Sequence, residues 1–263
     1  TLDTHKLLRW AASMGVEFLD TSPAYGNAEK IISLHDNFQL ITKVKKVESS
    51  KVEAVDIELV RRSFELSLKN SGRESIYGLL MHQPLDIIKP GGDLILDWMV
   101  SLKTQGIIEK IGVSVYTPAE LFRLYSKYPF DLVQVPINVM NQSFDVSGAL
   151  AMLSKNSVET HARSLFLKGA LLKETLADTS VSRKVKALHF EYSKYLTEMG
   201  CSMLDACKIF ADECKNVDKW VIGVGSEQQL GEILKPAEYN GDKLDFAAWA
   251  NINPDLVDPR SWN

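Results

Sequence analysis

Cysteine is scarce in this chain of 263 residues, and what is there does not pair. Cys201, Cys207 and Cys214 fall in one stretch that reads as helical. An odd number without Cys-x-x-Cys spacing provides neither a disulfide frame nor a zinc site, and points to reduced thiols packed in a helix. Long apolar runs are missing too: none reaches the length needed to cross a bilayer, and the N-terminus lacks the basic-then-apolar order of a signal peptide. No charge dominates, with 30 Lys and Arg against 34 Asp and Glu for a net −4. That balance gives no support for binding nucleic acid or an anionic membrane. No Gly/Ser-rich linker or low-complexity tract divides the sequence, so residues 1–263 read as one domain. His5, His35, His161 and His189 show no metal-ligand spacing and read as structural or surface residues; no metal is expected. These absences make a cytoplasmic location the default expectation.

What the sequence does contain is alternation. Short apolar or β-branched runs recur, each followed by a segment of helical spacing. "VEFLDTS" precedes "NAEKIISL", and "FQLITKV" precedes a helix carrying Ile57, Val60, Phe64 and Leu68 on one face. "IYGLLMHQ" precedes "DLILDWMVSLKTQG". "KIGVSVY" meets "TPAELFRLYSKY", where Thr117 suits an N-cap and Pro118 the first turn. "FDLVQVPIN" precedes "DVSGALAMLSKN", "VETHARSLF" leads to a helix around Val185, Leu188, Tyr192, Tyr195 and Met199, and "DKWVIGVGS" precedes "EQQLGEIL". The runs are almost continuously apolar, as strands covered on both faces must be. The expected fold is therefore α/β, a (β/α)8 TIM barrel whose first strand is missing from this chain, since "THKLLRWAASMG" opens it as a helix. The competing architecture, an open doubly wound sheet, usually announces itself by a Gly-rich phosphate loop after its first strand, and the sequence has no G-x-G-x-x-G.

A β/α barrel places chemistry at the C-terminal ends of its strands. Those positions are Asp20, Tyr25, Lys43, His82, Ser114, Gln134, Arg163 and Ser164. The first four suit the reduction of a carbonyl. Hydride addition develops negative charge on the oxygen, so a proton donor must wait beside it. A phenol with a pKa near 10 releases its proton reluctantly, and a neighbouring ammonium eases the loss by stabilising the phenolate. Lys43 can supply that charge, Asp20 can hold Lys43, and His82 can orient the substrate oxygen. Taken singly, each residue has a plainer reading: Asp20 a loop acid, Tyr25 a packing residue, Lys43 part of a solvated run with Lys45 and Lys46, His82 a satisfied strand-end histidine.

In order along the chain, "FLDTSPAYGNAE", "ITKV", "LLMHQP" and "IGVSVY" resemble the aldo-keto reductases, NAD(P)-dependent oxidoreductases built on a β/α barrel. The resemblance continues through "VQVPINV", "ARSLFLKGALL" and "VIGVGSEQQLGEIL" to "DPRSW". It implies a tetrad of Asp20, Tyr25, Lys43 and His82 with Tyr25 as general acid, and a nicotinamide carboxamide held by Ser114 and Gln134. It also implies cofactor contacts from Arg163, Ser164, Gly223 and Gln229, a cofactor that is NADP or NAD, and a small carbonyl substrate.

The sequence departs from the family pattern in particular places. Val115 follows Ser114 where the family often has asparagine. Arg163 stands where an aromatic commonly stacks on the nicotinamide; its planar guanidinium can stack or meet a phosphate or an acidic substrate. Gly223 and Gln229 stand where NADPH-preferring members carry Lys and Arg, although a dianionic 2′-phosphate normally recruits cations. "ARSLFLKGALL" hints at a hydroxylated or anionic substrate. Two other readings compete with a reductase: a cofactor-binding barrel with a regulatory or scaffold role and little turnover, and an aldolase with Lys43 as Schiff-base lysine. Oligomeric state is not legible in the sequence.

Overall fold

The apolar runs become strands, those in the middle of the sheet buried along most of their length and the outer two, Phe18–Asp20 and Lys219–Val221, half-buried. In the computed structural model, which describes residues 2–173, 176, 183–251 and 253, the run "QLITKV" is buried from its second residue onward and "LVQVP" throughout. Two compact units divide the chain.

The first unit takes Thr1–Gln134, Ser157–Glu159 and Val224–Leu230. It contains α1 (Leu2–Ser13), β1 (Phe18–Asp20), α2 (Ala28–Ile32), β2 (Gln39–Val44), α3 (Ala54–Ser71), β3 (Ile76–Met81), α4 (Asp93–Thr104), β4 (Ile108–Ser114), α5 (Pro118–Tyr125) and the start of β5 (Leu132–Pro136). The strands pair in parallel, each with the next: Asp20 with Ile41, Lys43 with Leu80, Leu80 with Gly112, and Ser114 with Gln134. Ile41, Leu80 and Leu132 form a buried apolar cluster on one face of this ladder. The face of α3 expected to pack has Ile57, Val60 and Phe64 buried and Leu68 half-buried. Thr117 caps α5 as anticipated, its hydroxyl accepting from Glu120 N at 3.2 Å while the Glu120 carboxylate accepts from Tyr116 N at 2.8 Å, and Pro118 opens the helix.

The second unit takes Val135–Asn156, Thr160–Gly223 and Gly231–Asn263. It holds α6 (Ser143–Val146), α7 (Ala149–Lys155), most of β6 (Glu159–Arg163), α8 (Arg183–Met199), α9 (Met203–Glu213), β7 (Lys219–Val221) and the last turn of α10 (Glu227–Leu234). Two expectations need correction here. The run "DVSGALAMLSKN" is not one helix: Gly148 adopts φ +75° and breaks it into α6 and α7, a conformation glycine reaches without steric cost. The cysteines do not share a helix either. Cys201 precedes α9, Cys207 lies within it, and Cys214 is the residue just beyond its end. Burial nevertheless makes all three poor nucleophiles, pushing Cys201 up to about 11 and Cys207 and Cys214 up to about 12. "DPRSW" lies outside the described residues.

Strand order runs β1 to β7 in chain sequence. A doubly wound sheet would reverse direction at a switch point and place its first strand inside the sheet; successive strands that always add on the same side are those of a singly wound β/α barrel.

Candidate active site

Register decides which side chains can meet. Side chains alternate faces along a strand, and paired residues of neighbouring strands share a face. Asp20 pairs with Ile41, so Lys43, two residues on, shares its face. Lys43 pairs with Leu80, so His82 falls on that face too, one residue beyond Met81 at the end of β3. Leu80 pairs with Gly112, which puts Ser114 on the same face, and Ser114 pairs with Gln134. Five chemistry-bearing positions from five strands are thereby aligned before any side chain is considered.

The side chains form a connected row. Lys43 Nζ donates to Asp20 Oδ1 at 2.6 Å and to the Thr21 carbonyl at 2.9 Å. Gln134 Nε2 donates to Asp20 Oδ2 at 2.9 Å, and Gln134 Oε1 accepts from Ser114 Oγ at 3.2 Å. Both oxygens of Asp20 are thus committed, one to a cation and one to an amide. The pair is dry: the Lys43 side chain is 3% exposed and that of Asp20 13%. A cation buried so deeply must be paired, because an unpaired one would carry a desolvation cost of several kcal/mol.

Tyr25 enters from the turn between β1 and α2. Its N–H donates to the Ser22 carbonyl at 2.9 Å and its carbonyl accepts from Ala28 N at 3.2 Å, which fixes the backbone under a half-exposed ring. The Lys43 ammonium lies 5.3 Å from the centre of that ring. Asp20, Lys43 and Tyr25 are therefore brought together, Ser114 and Gln134 join them through Asp20, and His82 stands half-buried at the end of the adjoining strand.

Arg163 ends β6, and its guanidinium donates to Ser164 Oγ at 3.5 Å. Ser164 has φ +66°, a conformation rare outside glycine that concentrates at functional sites. Asn138 holds it there: its amide donates to the Ser164 carbonyl at 3.2 Å while its oxygen accepts from Met140 N and Asn141 N, both at 3.0 Å. Gly223 follows β7, with open space where a Cβ would point. Gln229 lies in α10, and its side-chain oxygen accepts from Gly225 N at 2.8 Å.

A sequence profile of the Aldo/keto reductase family matches residues 3–254. The chain belongs to the aldo/keto reductase family. Oxidoreductase YdhF of Escherichia coli (strain K12) is 28% identical over 160 residues, which cover 57% of this chain and 53% of YdhF. The match thus spans about half the length of that curated relative. Aldo-keto reductase AKR11C1 from Bacillus halodurans, in its holo form, superposes with a TM-score of 0.69 at 16% identity, over 88% of this chain and 81% of that one. Glycerol dehydrogenase AKR11B4 from Gluconobacter oxydans gives a TM-score of 0.64 at 18% identity, over 89% and 81%. At these identities the solved structures establish the fold, the β/α barrel of the family, and chemistry has to be argued from the site.

Sequence reasoning passed over several residues of this aldo/keto reductase family member. Glu29 is buried and accepts hydrogen bonds from Ser67 at 2.5 Å and from Thr42 at 3.2 Å. It ties α2, just past Tyr25, to the strand residue beside Lys43. Its signal was an acid within the apolar spacing of "NAEKII". Thr21 buries a hydroxyl with no hydrogen-bond partner among the described residues, and Asn138 carried no sequence signal beyond its place after a strand.

The polar groups at these strand ends suit the primary carboxamide of a nicotinamide. Gln134 spends one N–H on Asp20, and an amide nitrogen has two; Ser114 keeps acceptor capacity after donating to Gln134. Neither Gly223 nor Gln229 offers a cation for a 2′-phosphate. Among the described residues no cluster of His, Cys, Asp and Glu is arranged to hold a metal, and no helix is long and apolar enough to cross a membrane.

Proposed function

We propose that the protein is an NAD(P)H-dependent oxidoreductase that reduces an aldehyde or ketone to an alcohol, with Tyr25 as proton donor and residues 1–263 acting as one barrel domain. The observation that carries this reading is the buried Lys43–Asp20 pair lying 5.3 Å from the Tyr25 ring. A phenol half open to solvent beside a fixed ammonium can give its proton to a carbonyl oxygen as charge develops there, because the phenolate left behind is stabilised. Asp20 keeps Lys43 in place, and His82 orients the carbonyl oxygen. Ser114 and Gln134 hold the carboxamide of the nicotinamide, which when bound supplies the hydride. Arg163, Ser164, Gly223 and Gln229 contact the rest of the cofactor. With neutral residues at the last two positions, NADPH is favoured over NADH weakly or not at all.

The same ion pair counts against Lys43 as a Schiff-base nucleophile, because its nitrogen is already committed to Asp20 Oδ1 and the Thr21 carbonyl. The substrate is read as a small carbonyl compound, hydroxylated or anionic, and the location as cytoplasmic. The test is oxidation of NADH and NADPH against a panel of aldehydes and ketones, with Tyr25→Phe alongside. Turnover in the parent and a loss of at least a hundredfold in Tyr25→Phe is expected; undiminished turnover in that variant refutes the assignment of the proton donor.

A further inference from the structure

Asp86 is wholly buried, carries a carboxylate, and has no part in the tetrad. It lies in the 3-10 turn Pro84–Ile88, which begins two residues after His82. Its Oδ2 accepts from Val47 N at 2.8 Å, and its Oδ1 lies 2.7 Å from Lys89 Nζ. Lys89 Nζ also donates to the Val47 carbonyl at 2.7 Å. Val47 is thus gripped at both its N–H and its C=O by one acid–lysine pair. Val47 belongs to the loop that follows Val44, the end of the strand carrying Lys43.

The two loops are locked a second time further out. Val52 N donates to the Pro90 carbonyl at 2.8 Å. At Gly91, with φ +78°, a Cβ would collide with the Val52 carbonyl oxygen, and at Gly92 it would collide with the Asp86 carbonyl oxygen. Backbone approaches this close admit only glycine. The segment after Lys43 and the segment after His82 are therefore joined by side-chain charge at one end and by backbone contact at the other.

A buried ion pair is a poor way to gain stability, because apolar residues of the same shape serve as well or better. What it supplies is one geometry: a carboxylate that must face Val47 N–H and the Lys89 ammonium cannot tolerate a slip of the turn. We propose that Asp86 is a positioning residue for His82, its carboxylate and Lys89 pinning the turn Pro84–Ile88 to Val47 so that the imidazole is held at a fixed place relative to Lys43. The proposal rests on the reductase reading for its kinetic consequence and on this local geometry for everything else.

Asp86→Asn removes the charge while keeping an acceptor, and Lys89→Met loosens the same grip without touching Asp86 itself, so one variant remains if the other does not fold. Each is made alone and combined with His82→Ala in the full chain. A catalytic group displaced by about 1 Å loses up to a hundredfold in rate. The expected result is that either substitution alone lowers kcat by about ten- to a hundredfold with cofactor Kd, read by fluorescence, unchanged within about twofold. In the His82→Ala background the same substitution lowers kcat by less than about twofold, since residues acting through one another are not additive. Equal losses in both backgrounds, an unchanged kcat in the single variants, or a His82→Ala variant as fast as the parent each overturn the proposal. Should the parent reduce no carbonyl, the reductase reading has failed, and the ring resonances of isotope-labelled His82 decide: shifted by Asp86→Asn or Lys89→Met they uphold the positioning, unshifted they end it.

Discussion

Replacing Lys43 by methionine separates what its charge does for the fold from what it does for Tyr25. The ammonium lies 5.3 Å from the phenol ring, which at an effective dielectric of about 20 corresponds to about 3 kcal/mol of attraction for a phenolate. Tyr25 is 50% exposed, and solvent screening brings the figure to about half. The proton-transfer step should accordingly slow by roughly ten- to a hundredfold in Lys43→Met. Stability suffers separately. Among the described residues Asp20 keeps Gln134 as its side-chain partner, and breaking a buried pair by removing one member costs about 3–5 kcal/mol. The double variant Asp20→Asn/Lys43→Met has no charge left to bury, and the new amide can turn its oxygen toward Gln134 and so preserve the hydrogen-bonded row to Ser114. Most of the lost stability should return, and the rate should not. Stability is read by denaturant unfolding and the chemical step by single-turnover reduction under saturating cofactor, so that product release does not mask it. A double variant that regains both stability and rate refutes the role given to the ammonium.

At the N-terminal end of the strands, burial pushes Tyr77 up, seconded by its hydrogen bond to Glu159; burial alone would pull Lys110 down, but contact with Glu159 and Tyr77 more than reverses this. Both raised groups bind protons more tightly folded than unfolded, so their contribution is full below about pH 10 and is lost as pH climbs through their folded values. The thermal midpoint should fall above about pH 10 and fall less steeply in Tyr77→Phe; parallel curves count against this. The three thiols, lifted by burial to about 11 or 12, hold at most about one part in a thousand as thiolate at about pH 8. A thiol reagent should label them slowly in the native protein and rapidly in denaturant, and a single fast native cysteine would contradict the assignment.

Much of this was legible because sheet periodicity writes itself into sequence. "ITKV" and "LLMHQP" interrupt apolar runs with a lysine and a histidine, and a strand buried on both faces tolerates such residues only where something pairs with them. Asp20, Lys43 and Gln134 meet as that logic requires. Less legible were residues whose role is to hold backbone. Asp86 sits in "QPLDIIKPGG", a composition typical of any turn, and its burial follows from a loop 39 residues earlier in the chain. Asn138 acts across 26 residues in the same way. The helix break at Gly148 is hard to read for another reason: one glycine outweighs an otherwise apolar periodicity. A local pattern reports what a residue does for its own element, and tertiary tethers leave no periodic trace.

The row from Ser114 to Lys43 bears on how the site can respond to a bound carboxamide. Gln134 faces two ways: its oxygen takes the Ser114 hydroxyl and its nitrogen gives to Asp20. Any ligand amide that engages Gln134 must compete with, or add to, a hydrogen bond that helps fix the acid holding Lys43. On the proposed reading, the carboxamide subsite and the proton donor are therefore two ends of one row, hydrogen-bonded from Gln134 through Asp20 to Lys43, whose ammonium lies 5.3 Å from the centre of the Tyr25 ring, and a change at one end alters the field at the other. Gln134→Leu removes the row's middle while leaving the Asp20–Lys43 contact intact. If the coupling is real, that substitution weakens nicotinamide binding and also slows proton donation in single turnover. If only binding weakens, Gln134 is a carboxamide contact and nothing more, and the two ends work independently.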